Sequence, residues 1–136
     1  MEKAALISVV DDDDSVRESL RGLLRSVTFG VEVFASAEEF LSSDRLRETD
    51  CLILDVRMPG MSGLELHRRL VSSHPCMPVI FITAHGDEEL RSRVLRSGAV
   101  DYLLKPFSDD ALLNAVQTAL RKVPHGRDVS SCRRRG

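Results

Sequence analysis

Short aliphatic runs alternate along this chain with stretches of helical period, and this alternation restricts the fold more than any other feature. Ala5 to Val10, Val31 to Phe34, Cys51 to Leu54, Val79 to Thr83 and Ala99 to Leu104 each read as a buried strand. The segments between them carry helix signals. Ser15-Val16-Arg17-Glu18, Ser36-Ala37-Glu38-Glu39 and Ser62-Gly63-Leu64-Glu65 all have the S-x-x-E form of a capping box. After the first, Val16, Leu20, Leu23, Leu24 and Val27 share one helical face, and Gly30 marks the end. The second opens a short helix with Phe40 and Leu41, and the third a helix to about Ser72. Asp87 can cap a fourth helix through Leu90 and Val94, stopped at Gly98. Ser108 can cap a fifth through Leu112, Val116 and Leu120.

Five strands alternating with five helices predict an α/β fold, a parallel sheet covered on both faces. Right-handed crossovers restrict it to a doubly wound topology, and the flavodoxin-like order 2-1-3-4-5 is one of the two common forms. Residues 1–122 are expected to form this domain. Residues 123–136 have no apolar period and end in Arg133-Arg134-Arg135, so they are expected to be a flexible tail, linker remnant or expression scar.

Bulk numbers exclude several classes. The 136 residues suffice for one domain with a real core, and 43% hydrophobic with 29% charged residues is ordinary for a globular protein. A net charge of −2 creates no general field for nucleic acid or membrane. No apolar stretch approaches the ~18 residues of a membrane span, and no signal peptide is read at the N-terminus. Cys51, Cys76 and Cys132 lack metal-ligand spacing and are expected to be buried or incidental thiols in a reducing cytoplasm, with no disulfide.

The strand ends carry the chemistry. The first run closes in Asp11-Asp12-Asp13-Asp14 and the third in Asp55. An open parallel sheet gathers all strand C-termini on one edge. Two carboxylates ~5 Å apart at an effective dielectric of ~20 repel by ~3 kcal/mol, and a hard cation such as Mg²⁺ removes that cost. The fourth strand adds the hydroxyl of Thr83, and the fifth is followed by Lys105-Pro106-Phe107. Carboxylates for a metal, one hydroxyl and one ammonium together suit a phosphoryl group.

With these motifs in view, the chain resembles the receiver domains of two-component response regulators. The matching segments are Val10-Asp11-Asp12-Asp13, Leu54-Asp55-Val56-Arg57-Met58-Pro59-Gly60-Met61-Ser62-Gly63, Thr83-Ala84 and Lys105-Pro106-Phe107. The wording of Ala84-His85-Gly86-Asp87 and Gly98-Ala99-Val100-Asp101-Tyr102 is most similar to receivers of the nitrogen-fixation, FixJ-like type, which share the CheY-like fold. The resemblance implies that Asp55 accepts a phosphoryl group from a sensor histidine kinase, and that Asp11, Asp12, Asp55 and the backbone carbonyl of Arg57 hold Mg²⁺, with Mn²⁺ as a substitute. It implies that Lys105 and Thr83 contact the phosphoryl group, that the Lys105-Pro106 peptide is cis, and that Thr83 and Tyr102 form a switch. Arg57 and His85 would flank the entrance and modulate phosphoryl lifetime, while Asp13 adds charge near the metal or caps the helix. His67 and His74 are expected on helix surfaces.

The implied protein is a cytoplasmic phosphoprotein, not a turnover enzyme, whose domain itself binds no nucleic acid or membrane. It would dimerise on phosphorylation through its fourth helix, fifth strand and fifth helix, in the service of transcription regulation. Other readings are a stand-alone phosphorelay receiver and a phosphorylation-independent interaction module. A haloacid-dehalogenase-type phosphatase is disfavoured by Arg57, where it would need a second aspartate. A flavin mononucleotide binder is disfavoured by four aspartates where a phosphate loop should be.

Overall fold

The computed structural model describes residues 4–122. Cys132 and the whole segment 123–136 lie outside the described residues.

The elements alternate as the sequence predicts: β1 (Leu6–Val10), α1 (Asp14–Ser26), β2 (Gly30–Phe34), α2 (Ala37–Leu41), β3 (Cys51–Asp55), α3 (Gly63–Ser73), β4 (Val79–Thr83), α4 (Glu88–Arg96), β5 (Asp101–Leu104) and α5 (Asp109–Lys122). A turn of 3₁₀ helix at Asp44–Glu48, not foreseen from sequence, fills the connection before β3. All pairings are parallel and the strand order is β2-β1-β3-β4-β5. β3 and β4 are buried at every position, which explains why both read as unbroken aliphatic runs.

Successive strand residues point to opposite faces, so the core divides in two. Ile7, Val9, Ile53, Ile80 and Ile82 pack with Leu20 and Leu24 of α1 and Leu112, Val116 and Ala119 of α5. Val10, Leu52, Leu54, Val79 and Phe81 pack with Phe40, Leu66, Leu70 and Val94 of α2, α3 and α4.

Four predicted caps stand where expected. Ser36, Ser62, Asp87 and Ser108 accept from the backbone N–H of Glu39, Glu65, Leu90 and Ala111 at 3.1, 3.2, 2.8 and 3.0 Å. The first box is corrected. The α1 cap is Asp13, whose side chain accepts from Ser15 N at 2.8 Å and Val16 N at 3.3 Å. Ser15 is therefore already inside the helix, because an ionised carboxylate outcompetes a hydroxyl at the positive helix end. The end of α1 is corrected too. The chain turns at Thr28, with φ of 70°, and Gly30 is instead the first residue of β2, donating to the Ala5 carbonyl at 2.9 Å. Val27 is 40% exposed rather than part of the apolar face.

Candidate functional site

Strand register assembles the site before any side chain is considered. Val10 pairs with Leu54, so Asp11 and Asp55 follow one step later on neighbouring strands. Asp55 pairs with Ile82, which sets Thr83 one step beyond it. Thr83 pairs with Leu104, and the Lys105 N–H donates to the Thr83 carbonyl at 2.8 Å. The residues that end β1, β3, β4 and β5 thus lie side by side on one edge. Strand order reverses between β1 and β3, and ligands of open α/β sheets bind at such a switch point.

Carboxylate oxygens of Asp11, Asp12 and Asp55 all lie within 4.8 Å of one another. Asp11 is wholly buried, Asp55 is 5% exposed and Asp12 is exposed. Lys105 Nζ stands 2.8 Å from Asp11 Oδ2 and 3.7 Å from Asp55 Oδ2. Burial opposes charge on this lysine, but the Asp11 hydrogen bond and the charges of Asp11 and Asp55 prevail, and its pKa is raised. Asp55 moves the other way from an ordinary carboxylate. Burial first, then the charge of Asp11, push it up to about 7, against the pull of Lys105 and of the Arg57 backbone N–H. One ammonium therefore does not neutralise three carboxylates, and the site favours a further cation. Asp11 Oδ2 is buried with no hydrogen-bond donor other than this ammonium among the described residues. An oxygen-only cluster with such an underused buried oxygen fits Mg²⁺, which needs few protein ligands.

Thr83 is 1% exposed. Its hydroxyl accepts from His85 N at 3.2 Å and donates to the His85 carbonyl at 3.3 Å. The Lys105-Pro106 peptide is cis. Arg57 and His85 are exposed and, with Asp12, Asp55, Thr83 and Lys105, line a groove of about 360 Å³ over the carboxylates. Tyr102 is turned inward, 7% exposed, at the far side of the β4–α4 loop. Asp13 is accounted for by its cap, and its N–H donates to Asp11 Oδ1 at 2.9 Å. Asp14 pairs with Arg17, whose guanidinium also donates to the Asp11 carbonyl at 2.7 Å.

Two supporting residues escaped the sequence reading. A Cβ on Gly63 would overlap the Asp55 carbonyl oxygen and stand 3.0 Å from Val56 Cα, so only glycine lets α3 start this close to β3. The Gly63-containing motif was visible, but the close approach was not. Glu38 Oε2 accepts from Met61 N at 3.1 Å and ties α2 to the loop after Asp55. In sequence Glu38 is only a first-turn acid, and nothing marks its long-range partner.

Two other expectations are corrected. His67 is 6% exposed, edge-on to Phe81 with ring centroids 5.3 Å apart, because α3 presents this position to the sheet. His74 is half-buried, with Nδ1 2.9 Å from Ser73 Oγ. Cys51 is a free buried thiol as expected, pushed up to about 12 by burial. Cys76 is disulfide-bonded, against the expectation of a free thiol, which spacing in the sequence could not reveal.

Comparison with known proteins agrees with this geometry. The response regulator receiver domain family matches residues 7–117. Response regulator protein TodT of Pseudomonas putida is 43% identical over 126 residues, covering 93% of this chain and 56% of that protein. Transcriptional regulatory protein FixJ of Bradyrhizobium diazoefficiens is 41% identical over 116 residues, covering 85% of this chain and 57% of that one. Among solved structures, response regulator StyR superposes with a TM-score of 0.80 at 48% identity, covering 88% of this chain and 60% of that one. The chain spans a little over half the length of the curated relatives it matches. Among the described residues, no helix is long and apolar enough to cross a membrane.

Proposed function

Because this chain belongs to the response regulator receiver family, we propose that it accepts a phosphoryl group on Asp55 from the phosphohistidine of a sensor histidine kinase. The observation that carries this reading is the Asp55 carboxylate itself. It ends a fully buried strand, faces the groove, and has Asp11, Asp12 and Lys105 around it.

A carboxylate oxygen of Asp55 attacks phosphorus as the bond to the kinase imidazole nitrogen breaks, leaving an acyl phosphate on the chain. Such a transfer asks chiefly for positioning and charge neutralisation. Lys105 exchanges part of its contact with Asp55 for a phosphoryl oxygen, remaining anchored by Asp11 at 2.8 Å. The Thr83 hydroxyl leaves its own loop to donate to a second oxygen. Asp11, Asp12, Asp55 and the Arg57 carbonyl would hold Mg²⁺ or Mn²⁺, which supplies the positive charge that offsets the carboxylates and the phosphoryl group. Arg57 and His85, both at the rim, govern access of the water that later hydrolyses the acyl phosphate. The chain is thus an acceptor that is slowly dephosphorylated, not a turnover enzyme for an external substrate. In the intact protein, the modified domain works in the cytoplasm to regulate transcription through its output face.

Intact-mass measurement after exposure to a small acyl phosphate with Mg²⁺ tests this. The natural chain gains one phosphoryl group, Asp55→Asn gains none while retaining its fold, and Asp12→Ala loses the metal-dependent labelling. Stoichiometric labelling of Asp55→Asn would overturn the assignment.

A further inference from the structure

Asp11 is the wholly buried member of the carboxylate cluster, and it is held at four points. Its N–H donates to the Phe34 carbonyl at 3.1 Å, one step past the last paired residues of β1 and β2. Oδ1 accepts from Asp13 N at 2.9 Å, and Oδ2 meets Lys105 Nζ at 2.8 Å. The remaining group is its carbonyl, which accepts from Arg17 Nη1 at 2.7 Å. Arg17 lies about one turn into α1, where long side chains lean back toward the helix N-terminus. The other prong of the guanidinium, Nη2, donates to the exposed carboxylate of Asp14. The Arg17 side chain is 16% exposed, so this cation stands largely buried beside the acidic edge.

We infer that Arg17 is a positioning residue for the metal-holding carboxylates, acting on Asp12 through the peptide that joins it to Asp11. This rests on the reading above that these carboxylates hold a divalent cation, and extends it to a residue that would touch neither the cation nor the phosphoryl group. The carbonyl that Arg17 grips belongs to the Asp11–Asp12 peptide. That peptide is planar, so fixing its oxygen also fixes the direction in which the chain leaves for Asp12. Asp12 has no other restraint of this kind. It is exposed, and its side chain makes no hydrogen bond or ion pair among the described residues. A guanidinium suits the task because its planar fork presents N–H groups in fixed relative directions, here one to the carbonyl and one to Asp14. An ammonium is a point charge on a flexible stem and does not reproduce that fork. As a bare charge, Arg17 would act in the opposite sense, because a cation beside the site repels Mg²⁺. Positioning and charge therefore predict opposite effects on metal affinity.

Titration of the unphosphorylated chain with Mn²⁺ tests this, with the unbound ion counted by electron paramagnetic resonance. Arg17→Lys keeps the charge and the helix propensity and loses the fork, whereas Arg17→Gln loses both fork and charge. Arg17→Lys should weaken Mn²⁺ binding by about tenfold, the usual cost of removing a group that orients a metal ligand. Arg17→Gln should weaken it less, since the lost repulsion offsets part of the effect. An Arg17→Lys chain that binds Mn²⁺ as tightly as the natural one, or an Arg17→Gln chain that binds it more tightly, would overturn the inference. The rise in melting temperature on adding Mn²⁺ reports the same affinity by mass action, and it serves even a variant of lowered stability. A purely structural arginine would lower the metal-free melt and leave that rise intact, which would also overturn the inference. Failure of the natural chain to bind Mn²⁺, or undiminished binding by Asp12→Ala, would instead refute the metal reading and take the inference with it.

Discussion

At the level of single residues, burial acts in opposite directions on Asp55 and His67. Burial lowers the His67 pKa below its ordinary 6.5, so the native state favours the neutral ring. Its contribution to stability is complete above about pH 6.5 and is lost as pH falls toward the folded pKa. Asp55 is raised from 3.8 to about 7, so its contribution is complete below about pH 3.8 and is lost as pH rises through 7. Below about pH 6.5, where the ring begins to take up its proton, the two slopes oppose each other. Denaturant unfolding followed as a function of pH should separate them. Relative to the natural chain, His67→Phe should gain stability as pH falls and Asp55→Asn as pH rises, each by about 1 kcal/mol or more per unit of pKa displacement relieved. A His67→Phe difference that is flat with pH would remove the buried ring as a source of acid sensitivity.

At the level of elements, the site depends on how closely α3 approaches the end of β3. Gly63 N donates to the Val56 carbonyl at 2.9 Å, and its Cα lies against the Asp55 backbone. Backbone cannot rotate away from a methyl as a side chain can. Gly63→Ala should therefore lower stability by about 1–3 kcal/mol, the usual range for overpacking, and slow Asp55 labelling by displacing its carboxylate. Thermal melts and labelling rates on one preparation check both, and an unchanged melt would show that α3 shifts freely. Glu38 holds the other side of the same loop through Met61 N. A Cβ on Gly60, with φ of +76°, would approach Glu38 Oε2 to 2.9 Å, so the loop and α2 fit each other closely. The corrected α1 start belongs here too. S-x-x-E at Ser15 and Asp13 compete to cap one helix, and the aspartate wins because its carboxylate serves two N–H groups.

Across the whole molecule, the face formed by α4, β5 and α5 lies next to Tyr102, and Leu104 is 51% exposed on it. A switch at Thr83 and Tyr102 should alter this face, and dimerisation through it is the expected consequence. Hydrogen exchange and sedimentation with and without beryllofluoride check this, with slower exchange expected at Arg91, Leu95, Val100 and Asp101 in the loaded protein. Unchanged exchange across residues 83–105, in protein shown to carry the mimic, would rule the switch out. Sequence alone determined the alternation of strands and helices, four of the five caps, and the presence of Asp11, Asp12, Asp55, Thr83 and Lys105 at strand ends. These are local properties, written in periodicity and in the residue type at each boundary. Only tertiary structure decided that those ends meet, because parallel register joins residues far apart in the chain. It also decided that His67 is buried, that Glu38 reaches Met61, and that Gly63 is a glycine for lack of room. Each of these depends on what a distant segment places beside the residue, which no local pattern encodes.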